Sequence, residues 1–321
     1  MENTNIATIC DKNYLIRALT LCHSVETHMP DAEIWILCMD VESKNILEKL
    51  NLKNIHFKLV EEINDQELMN VKNTRSAGEF AMTSKASWIQ YIEQSGKVKN
   101  GDSIIYIDAD ILLFKSLKDL IDKMKREKYS IGITPHRFAP NQIDTEMKVG
   151  KYNSGFEIFI IDDNSRACIS NWREQCIDWC YLKEDKDRLG DQKYLNTWKS
   201  KFSGVYEILD KGINAGSWNL VNYKISEKDK IFFIDDSPIV CYHFHRIKFY
   251  IVGENIKPLP IYIYHKRLYK TYTELLLNSW KMVKKIDNNW KFGFEEKPNF
   301  LKLIKQKITR NIKNIKQTSN E

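Results

Sequence analysis

Two aspartates one residue apart, Asp108 and Asp110, are the most specific chemical feature of the sequence. They follow the apolar run 103–107 and precede a second apolar stretch. Residues i and i+2 of an extended chain point to the same side, so we expect both carboxylates to converge on one point. Two like charges so close repel each other unless a cation or protons lie between them, and such oxygen ligands suit Mn²⁺ or Mg²⁺. The alternative is a pair of solvated acids in a turn.

Two histidines repeat this spacing near residue 240. His243 and His245 end the apolar run 238–242, so both side chains are expected to face one site. Either imidazole could then join the carboxylates around a cation, a combination that is chemically ordinary for Mn²⁺. The alternative is that these histidines are hydrogen-bonded residues of the core.

Two glycine-containing segments carry polar side chains that packing alone does not require. Asn153 and Gly155 begin a predicted strand, where a glycine lets the backbone approach a ligand closely. Asp191 and Gln192 stand at the amino end of a predicted helix. The alternative for Asp191 is helix capping, which aspartate does well.

A third segment, residues 214–219, reads as a turn and contains Trp218. An aromatic ring at such a turn could stack on a sugar or a base. The alternative is that Trp218 fills a gap in the core.

The seven cysteines give no sign of a disulfide framework or a zinc site. They are scattered, and Cys176 and Cys180 form a helical i, i+4 pair that has no second Cys/His pair at a matching spacing. The sequence also lacks an apolar run long enough to cross a bilayer and a recognisable secretion signal. We therefore expect a soluble or peripheral protein inside the cell.

The net charge of +6 is confined to one end of the chain. Residues 297–321 contain seven Lys or Arg and one acid, which leaves residues 1–296 neutral. A nucleic-acid binder would spread its basic residues over a folded face, so no nucleic acid is expected as a partner. Apolar residues recur at helical spacing within 297–316, which predicts a basic amphipathic helix. Such a helix could lie on an anionic membrane surface or pack on the domain.

The pattern of apolar residues predicts how these groups are brought together. Strand-like runs alternate with helical patterns from residue 6 to residue 107, which indicates an α/β fold with a mainly parallel sheet covered on both faces. Ligands of such sheets bind beyond the carboxyl ends of the strands, so chemistry is expected just after Cys10, Met39 and Ile107.

The second half of the chain is less regular. Candidate strands lie at 130–134, 155–161, 205–209 and 238–243 and a helix at 164–182, which suggests that antiparallel strands join the sheet. From residue 251 the pattern becomes mainly helical. We place one domain at 1–250 and a C-terminal helical region with the basic tail at 251–321.

With these residues collected, the chain resembles nucleotide-sugar glycosyltransferases of the GT-A fold. The likeness is to glycosyltransferase family 8, which includes bacterial lipopolysaccharide galactosyltransferases and glycogenin, and it covers about residues 5–248. The matching pieces, in the family's order, are Ala7–Tyr14, Thr83–Trp88, Asp108-Ala109-Asp110, Asn153-Ser154-Gly155, Asp191-Gln192 and His243.

The resemblance implies a role for each matching position. Asp11, Asn13 and Tyr14 look like the uracil-binding residues, and Lys85 would lie near the phosphates or the sugar of the donor. Asn153 and Asp191 resemble the residues that hold the sugar hydroxyls, and Gln192 the residue near the reacting carbon. Metal ligands are implied at Asp108, Asp110 and His243, with His245 as the alternative. Ala7, Ala109 and Gly155 complete the donor-binding segments.

The last metal motif departs from the family pattern. Family 8 has His-X-X-Gly-X-X-Lys-Pro-Trp, whereas this chain has His243-Phe-His-Arg246-Ile-Lys248-Phe. The lysine implied to bind the diphosphate, Lys248, is therefore one residue early, and the Pro-Trp pair is missing.

The resemblance implies a metal-dependent hexosyltransferase. It would move a hexose from a UDP-sugar to a saccharide or lipid-linked acceptor with retention of configuration, using Mn²⁺ or Mg²⁺, in bacterial surface polysaccharide synthesis. The expected location is the cytoplasm or the inner face of the membrane. Two alternatives are a nonenzymatic nucleotide- or membrane-binding protein and a sugar-1-phosphate nucleotidyltransferase, although residues 10–14 lack the glycines of a phosphate loop.

Overall fold

A seven-stranded sheet forms the centre of the protein. The computed structural model describes residues 2–185, 187–259, 265–306 and 308–309. Within them the strands of this sheet are β1 (Thr4–Cys10), β2 (Glu33–Cys38), β3 (Ile55–Leu59), β4 (Ser103–Ile107), β6 (Ile131–Pro135), β7 (Tyr152–Ile160) and β8 (Val205–Glu207). Their order is β3-β2-β1-β4-β7-β6-β8, and only β7 runs against the other six. The predicted, mainly parallel sheet is thus confirmed.

Among the described residues, the other strands are β5 (Ile111–Leu113), β9 (Ala215–Gly216), β10 (Ile225–Lys228), β11 (Ile231–Ile234), β12 (Ser237–Pro238), β13 (Cys241–His243), β14 (Phe249–Val252) and β15 (Asn255–Pro258). They form three small sheets. One has the order β5-β13-β9 and ends at His243, two residues before His245. The others are a three-stranded antiparallel sheet, β10-β11-β12, and the hairpin β14–β15.

Helices begin where the sequence supplies caps. Ser76 and Glu79 form a capping box at the start of one long helix, and Asp40 and Asp162 cap two others with their carboxylates. The α-helices are α1 (Leu15–His28), α2 (Val41–Leu50), α3 (Gln66–Val71), α4 (Ala77–Glu93), α5 (Lys118–Arg126), α6 (Ile143–Val149), α7 (Asp163–Asp178), α8 (Trp198–Lys201) and α9 (Lys266–Ile286).

The two faces of the central sheet bury separate cores. Apolar side chains of α1, α2 and α9 pack on one face, and those of α4 and α7 pack on the other. Because both faces are covered, the strands are mostly apolar, and β7 is buried over its whole length although it contains Asn153, Ser154 and Glu157. The carboxyl ends of the parallel strands are the positions where ligands of such sheets bind.

The segment after residue 250 differs from the predicted helical region at its start. Residues 249–258 form the hairpin β14–β15, turned at Gly253, whose φ of 58° lies in the left-handed region. The strong helical pattern follows as α9, and its Leu268, Tyr272 and Trp280 enter the same core as α1.

Most of the basic tail lies outside the described residues, which end at 309 and omit 307. Residues 300–306 are helical, and Phe300 and Leu301 are each 75% exposed. In the part of the chain that the structure describes, no helix combines the length and apolar character needed to cross a bilayer. All seven cysteines are buried thiols, including Cys176 and Cys180.

Candidate functional site

The sheet directs the predicted residues to one edge. β1 and β4 are parallel neighbours, so Asp11 and Asp108, which follow them, lie at the same end. β7 runs the other way, and its first residues return to that end. The backbone N–H of Asp108 donates to the carbonyl of Gly155 at 2.9 Å. Antiparallel pairing of one strand therefore adds residues 152–155 to the carboxylate edge.

Asp110 and His243 form the centre of a candidate cation site. Strand β13 pairs with β5 so that His243 stands opposite Ile111, the residue after Asp110. The imidazole Nε2 lies 3.0 Å from Asp110 Oδ1 and 4.0 Å from Asp108 Oδ2. One ligand atom each from Asp110, His243 and His245 lie within 4.8 Å of one another. The structure thus brings both histidines, and not one of them, to the carboxylate of Asp110.

Asp110 and His243 each stabilise the charged form of the other in the buried site. Burial alone would raise the pKa of Asp110, but His243, His245 and Arg17 outweigh it and hold that pKa well below its ordinary value. Burial works to lower the pKa of His243, and the two aspartates outweigh it and raise it. His245 has a pKa lowered to about 4, mainly by burial and then by His243. The ionised carboxylate of Asp110 and the neutral imidazole of His245 are therefore both available as ligands.

Gly155 makes room for this arrangement. A Cβ at this position would lie 2.8 Å from Asp108 Oδ2, 2.8 Å from His243 Cε1 and 2.9 Å from Asn153 Oδ1. Any side chain would push these groups apart. The donor set and the absence of a side chain at Gly155 both fit a small hard cation held by carboxylate and imidazole.

Lys85 on α4 connects the cation site with Asp191. Its Nζ lies 3.1 Å from Asp108 Oδ1 and 3.0 Å from Asp191 Oδ2, and it donates to the carbonyl of Ser154 at 2.6 Å. Tyr106 donates its hydroxyl to the same Asp108 oxygen at 3.1 Å. Burial opposes the charge on Lys85, yet Asp108 and Asp191 more than offset it and raise its pKa well above the ordinary value.

Asp191 is buried and paired with Lys85. Its side chain is 2% exposed, and its Oδ2 lies 3.0 Å from Nζ of Lys85. Burial raises the pKa of Asp191, and Lys85 offsets only part of this. A carboxylate has more acceptor sites than one ammonium occupies, so Asp191 can also accept from a ligand group that donates, such as a hydroxyl. The neighbouring predicted helix is a 3-10 helix, Lys193–Thr197.

Asn153 belongs to a buried hydrogen-bond network rather than standing alone. Its Oδ1 accepts from the backbone N–H of Gly155 at 3.1 Å and from Nδ2 of Asn214 at 2.9 Å. The Oδ1 of Asn214 lies 3.3 Å from Nδ1 of His243. Asn153, predicted to hold the donor sugar, and His243, a predicted metal ligand, are therefore joined through Asn214.

The loop between β1 and α1 holds the predicted base-binding residues in a tight turn. Asp11 Oδ1 accepts from the backbone N–H groups of Asn13 and Tyr14, each at 2.9 Å. The Tyr14 side chain is 42% exposed. The nearby Asp110 carboxylate and then burial raise the pKa of its hydroxyl to about 12. Tyr14 thus offers an accessible ring close to the cation site.

Four predicted residues contact groups other than those the resemblance implied for them. Gln192 donates its side-chain amide to the carbonyl of Val149 at 2.7 Å. Lys248 lies at the exposed rim, with its Nζ 2.7 Å from Glu295 Oε1. The side chains of Ala7 and Ala109 are 0% and 4% exposed and belong to the core.

Sequence reasoning missed Glu157 and the linking role of Asn214. Glu157 lies in the middle of β7, is fully buried, and neither carboxylate oxygen has a hydrogen-bond partner among the described residues. Burial is the main cause that raises its pKa well above the ordinary value. The signal was present, because an acid inside the apolar run 155–161 contradicts the pattern of a buried strand. For Asn214 only a turn was visible.

Comparison with known proteins gives concordant results. The sequence model described as glycosyl transferase family 8 matches residues 5–249. The chain is 30% identical over 252 residues to Uncharacterized protein YfnF of Bacillus subtilis strain 168, which covers 77% of this chain and 82% of that protein. Uncharacterized protein YfnD of the same strain is 26% identical over 246 residues, covering 76% and 78%.

A solved structure shows the same fold. The galactosyltransferase LgtC, in complex with donor and acceptor sugar analogues, superimposes with a TM-score of 0.50 at 20% identity. The alignment covers 85% of this chain and 95% of that chain.

Proposed function

Because the chain belongs to glycosyl transferase family 8, we propose that this GT-A glycosyltransferase moves a hexose from a UDP-sugar to a saccharide or lipid-linked acceptor. The observation that carries the proposal is the position of Lys85. Its ammonium lies between Asp108, at the cation site, and the buried carboxylate of Asp191. A nucleotide sugar offers a diphosphate to the cation site and hydroxyls to Asp191, so one ligand fits both.

The proposed cation ligands are Asp108, Asp110 and His243, and His245 is near enough to join them. Two imidazoles beside two carboxylates favour Mn²⁺ over Mg²⁺, since Mg²⁺ prefers oxygen ligands and waters. When bound, such an ion stabilises the negative charge that develops on the departing diphosphate.

The chain's own residues supply the rest of the donor site. Tyr14 would stack on the uracil, with Asp11 and Asn13 at the base edge, while Asn153 and Asp191 hold sugar hydroxyls. Lys85 would stabilise charge on the diphosphate together with Lys248. Because the ion pair of Lys248 with Glu295 is solvent-exposed, it is weak, and a diphosphate can replace it.

We propose retention of configuration at the transferred carbon. The acceptor hydroxyl would attack from the side of the leaving group, and a phosphate oxygen of that group would take its proton. Gln192 is a weak nucleophile, and its amide is held by the carbonyl of Val149. It would therefore position the sugar and not form a covalent bond with it.

The test is donor binding and turnover. Calorimetry with UDP and GDP, each with Mn²⁺, Mg²⁺ or EDTA, should show tight binding only for UDP with Mn²⁺. A panel of UDP-sugars should yield slow release of UDP, and proton NMR of the glycosylated product should show the anomeric configuration of the donor. Failure of every UDP-sugar to bind would overturn the donor, and an inverted product would overturn retention alone.

We further propose that the protein works in bacterial surface polysaccharide synthesis at the cytoplasmic face of the membrane. Phe300 and Leu301 are exposed on the helix 300–306, and lysines flank them at 297, 302 and 305. An exposed apolar stripe with basic flanks suits an anionic lipid surface, to which each basic residue contributes about 1 kcal/mol.

Vesicle sedimentation tests the membrane contact. The full chain should bind vesicles containing phosphatidylglycerol and release them at high salt, whereas a chain ending at residue 296 should stay in solution. Phosphatidylcholine vesicles and a duplex DNA serve as controls and should not bind. Equal sedimentation of the two chains would contradict the assignment to this segment.

A further inference from the structure

The cation site and the sugar site share one buried carboxamide, that of Asn214. It directly precedes β9, which runs parallel to β13 and so places it next to His243. Its side chain is fully buried. Nδ2 donates to Thr134 Oγ1 at 2.7 Å and to Asn153 Oδ1 at 2.9 Å, and Oδ1 lies 3.3 Å from Nδ1 of His243.

The backbone of Asn214 is held in place as firmly as its side chain. Its φ of 49° lies in the left-handed region, which asparagine tolerates better than most residues. Its N–H donates to Cys241 Sγ at 3.2 Å, and its carbonyl accepts from Arg137 at 3.3 Å. The backbone of Asn214 therefore holds the side-chain carboxamide in one position.

His136, at the end of the network away from His243, sets which atom donates in each of its hydrogen bonds. Nδ1 of His136 lies 3.1 Å from the carbonyl of Gly150 and 3.2 Å from that of Lys151, so this nitrogen must carry a hydrogen. Burial lowers the pKa of His136 to about 4, which leaves Nε2 as an acceptor for the Nδ2 of Asn153 at 3.4 Å.

The direction then passes through both amides to the metal ligand. With its Nδ2 directed at His136, Asn153 presents Oδ1 to Asn214, whose Nδ2 must donate. Asn214 can then offer only Oδ1 to His243, so the imidazole carries a hydrogen on Nδ1. Its Nε2, which faces Asp110 Oδ1 at 3.0 Å, is then the nitrogen that a cation would use, in exchange for the contact with Asp110.

We propose that Asn214 is a positioning residue that orients His243 towards the cation and Asn153 towards the donor sugar. The inference rests on the proposed roles of His243 and Asn153. Because one carboxamide holds both side chains, its loss should impair both sites, whereas loss of its donor alone should impair only the sugar site.

Two variants separate the two arms of Asn214. N214G keeps the left-handed backbone and removes both arms. N214D keeps an oxygen for His243 and replaces the donor that faces Asn153. T134V serves as the matched control, since it removes one buried hydrogen bond of the same amide. Thr134 is the cross-strand partner of Asn153 through its backbone, which this substitution keeps. Thermal melting establishes that each variant is folded before the other measurements.

The readouts are Mn²⁺ affinity from electron paramagnetic resonance, kinetics with the UDP-sugar that the wild-type protein uses, and the Nδ1–H resonance of His243 in the metal-free protein. N214G should bind Mn²⁺ about 10-fold or more weakly, the usual effect of losing such an outer partner, and lose the Nδ1–H resonance. N214D should keep both and lose kcat/KM for the donor. T134V should match the wild type in all three.

Wild-type Mn²⁺ affinity in N214G, or the same profile for N214G and N214D, would overturn the positioning role of Asn214. Failure of the wild-type chain to bind Mn²⁺ or a UDP-sugar would instead count against the proposed function. The resonance of His243 in the metal-free protein then still decides whether Asn214 orients it, so the two failures are distinguishable.

Discussion

The two halves of the candidate site are built differently. On the side of β4, β7 and β13, the groups expected to meet the cation and the sugar are buried, and Lys85, Asp191 and His243 have side chains 7%, 2% and 2% exposed. On the side of the β1–α1 loop, Tyr14 is 42% exposed. One half is interior and charged, and the other is an accessible surface.

This difference indicates how ligands are bound in each half. Charged groups in the interior need partners, because an unpaired buried charge costs several kcal/mol. Asp108, Asp110, Asp191, Lys85 and His243 therefore pair with one another, and a ligand must exchange these contacts for its own. The exposed half has no such requirement and offers a ring for stacking. Changes in the first half should affect catalysis and folding together, whereas those in the second should affect only donor binding.

The largest effect is expected for Asp110→Asn. Loss of this carboxylate removes a cation ligand and the partner of His243, and a metal contributes several kcal/mol to such reactions, so kcat/KM should fall roughly 1,000-fold. Steady-state release of UDP measures this, with Asp163→Asn, an exposed acid on α7, as the control. Activity of Asp110→Asn close to that of the control would place the cation elsewhere.

Lys85→Met should damage both activity and folding. It leaves Asp108 and Asp191 without their shared cation, and removal of one partner from a buried ion pair costs about 3 kcal/mol. Urea unfolding should report that loss of stability, together with a fall in kcat. Lys85→Arg keeps the charge and should recover most of the stability. If Lys85→Met unfolded like the wild type, the interior half would not depend on this pairing.

Tyr14→Ala tests the exposed half. Stacking of a base on an aromatic ring is worth about 1–3 kcal/mol, so KM for the donor should rise about 10-fold while kcat and the melting temperature change little. Tyr14→Phe keeps the ring and should behave like the wild type. A fall in kcat or in melting temperature would remove the distinction between the two halves.

Glu157→Gln should give the smallest change in activity and a clear dependence of stability on pH. Burial raises the pKa of Glu157, so the unfolded chain releases this proton at a lower pH than the folded one. The wild type therefore loses stability as the pH rises above the ordinary range of glutamate, and the glutamine variant does not. Melting temperatures at pH 5 and pH 8 should show an advantage of Glu157→Gln that grows with pH. A constant difference would show that Glu157 is ionised in the folded protein.

Much of the fold was predictable because its signals are local. The alternation of apolar runs and amphipathic stretches predicted the parallel strands β1–β4, and the spacing of Asp108 and Asp110 after β4 predicted carboxylates at the carboxyl edge. The hairpin β14–β15 was not predicted. Its strands are only four residues each, too short for a period of two to stand out from the helical pattern that follows.

The role of Asn214 could not be read from its surroundings in the chain. Its partners are 80, 61 and 29 residues away, at Thr134, Asn153 and His243. A turn sequence looks the same whether its asparagine faces water or a buried network. The small sheet β5-β13-β9 brings these positions together, and strands of two or three residues leave little trace in the sequence.

The sequence by itself determined the type of chemistry and the edge where it occurs, because both depend on residue type and on spacing of one or two positions along a strand. Only the tertiary structure decided which groups form ion pairs or hydrogen bonds with each other. It joined Lys85 to both Asp108 and Asp191, and it brought His245 beside His243 and Asp110. These pairings depend on the crossing of elements far apart in the chain, where side chains meet because buried charges and amides require partners.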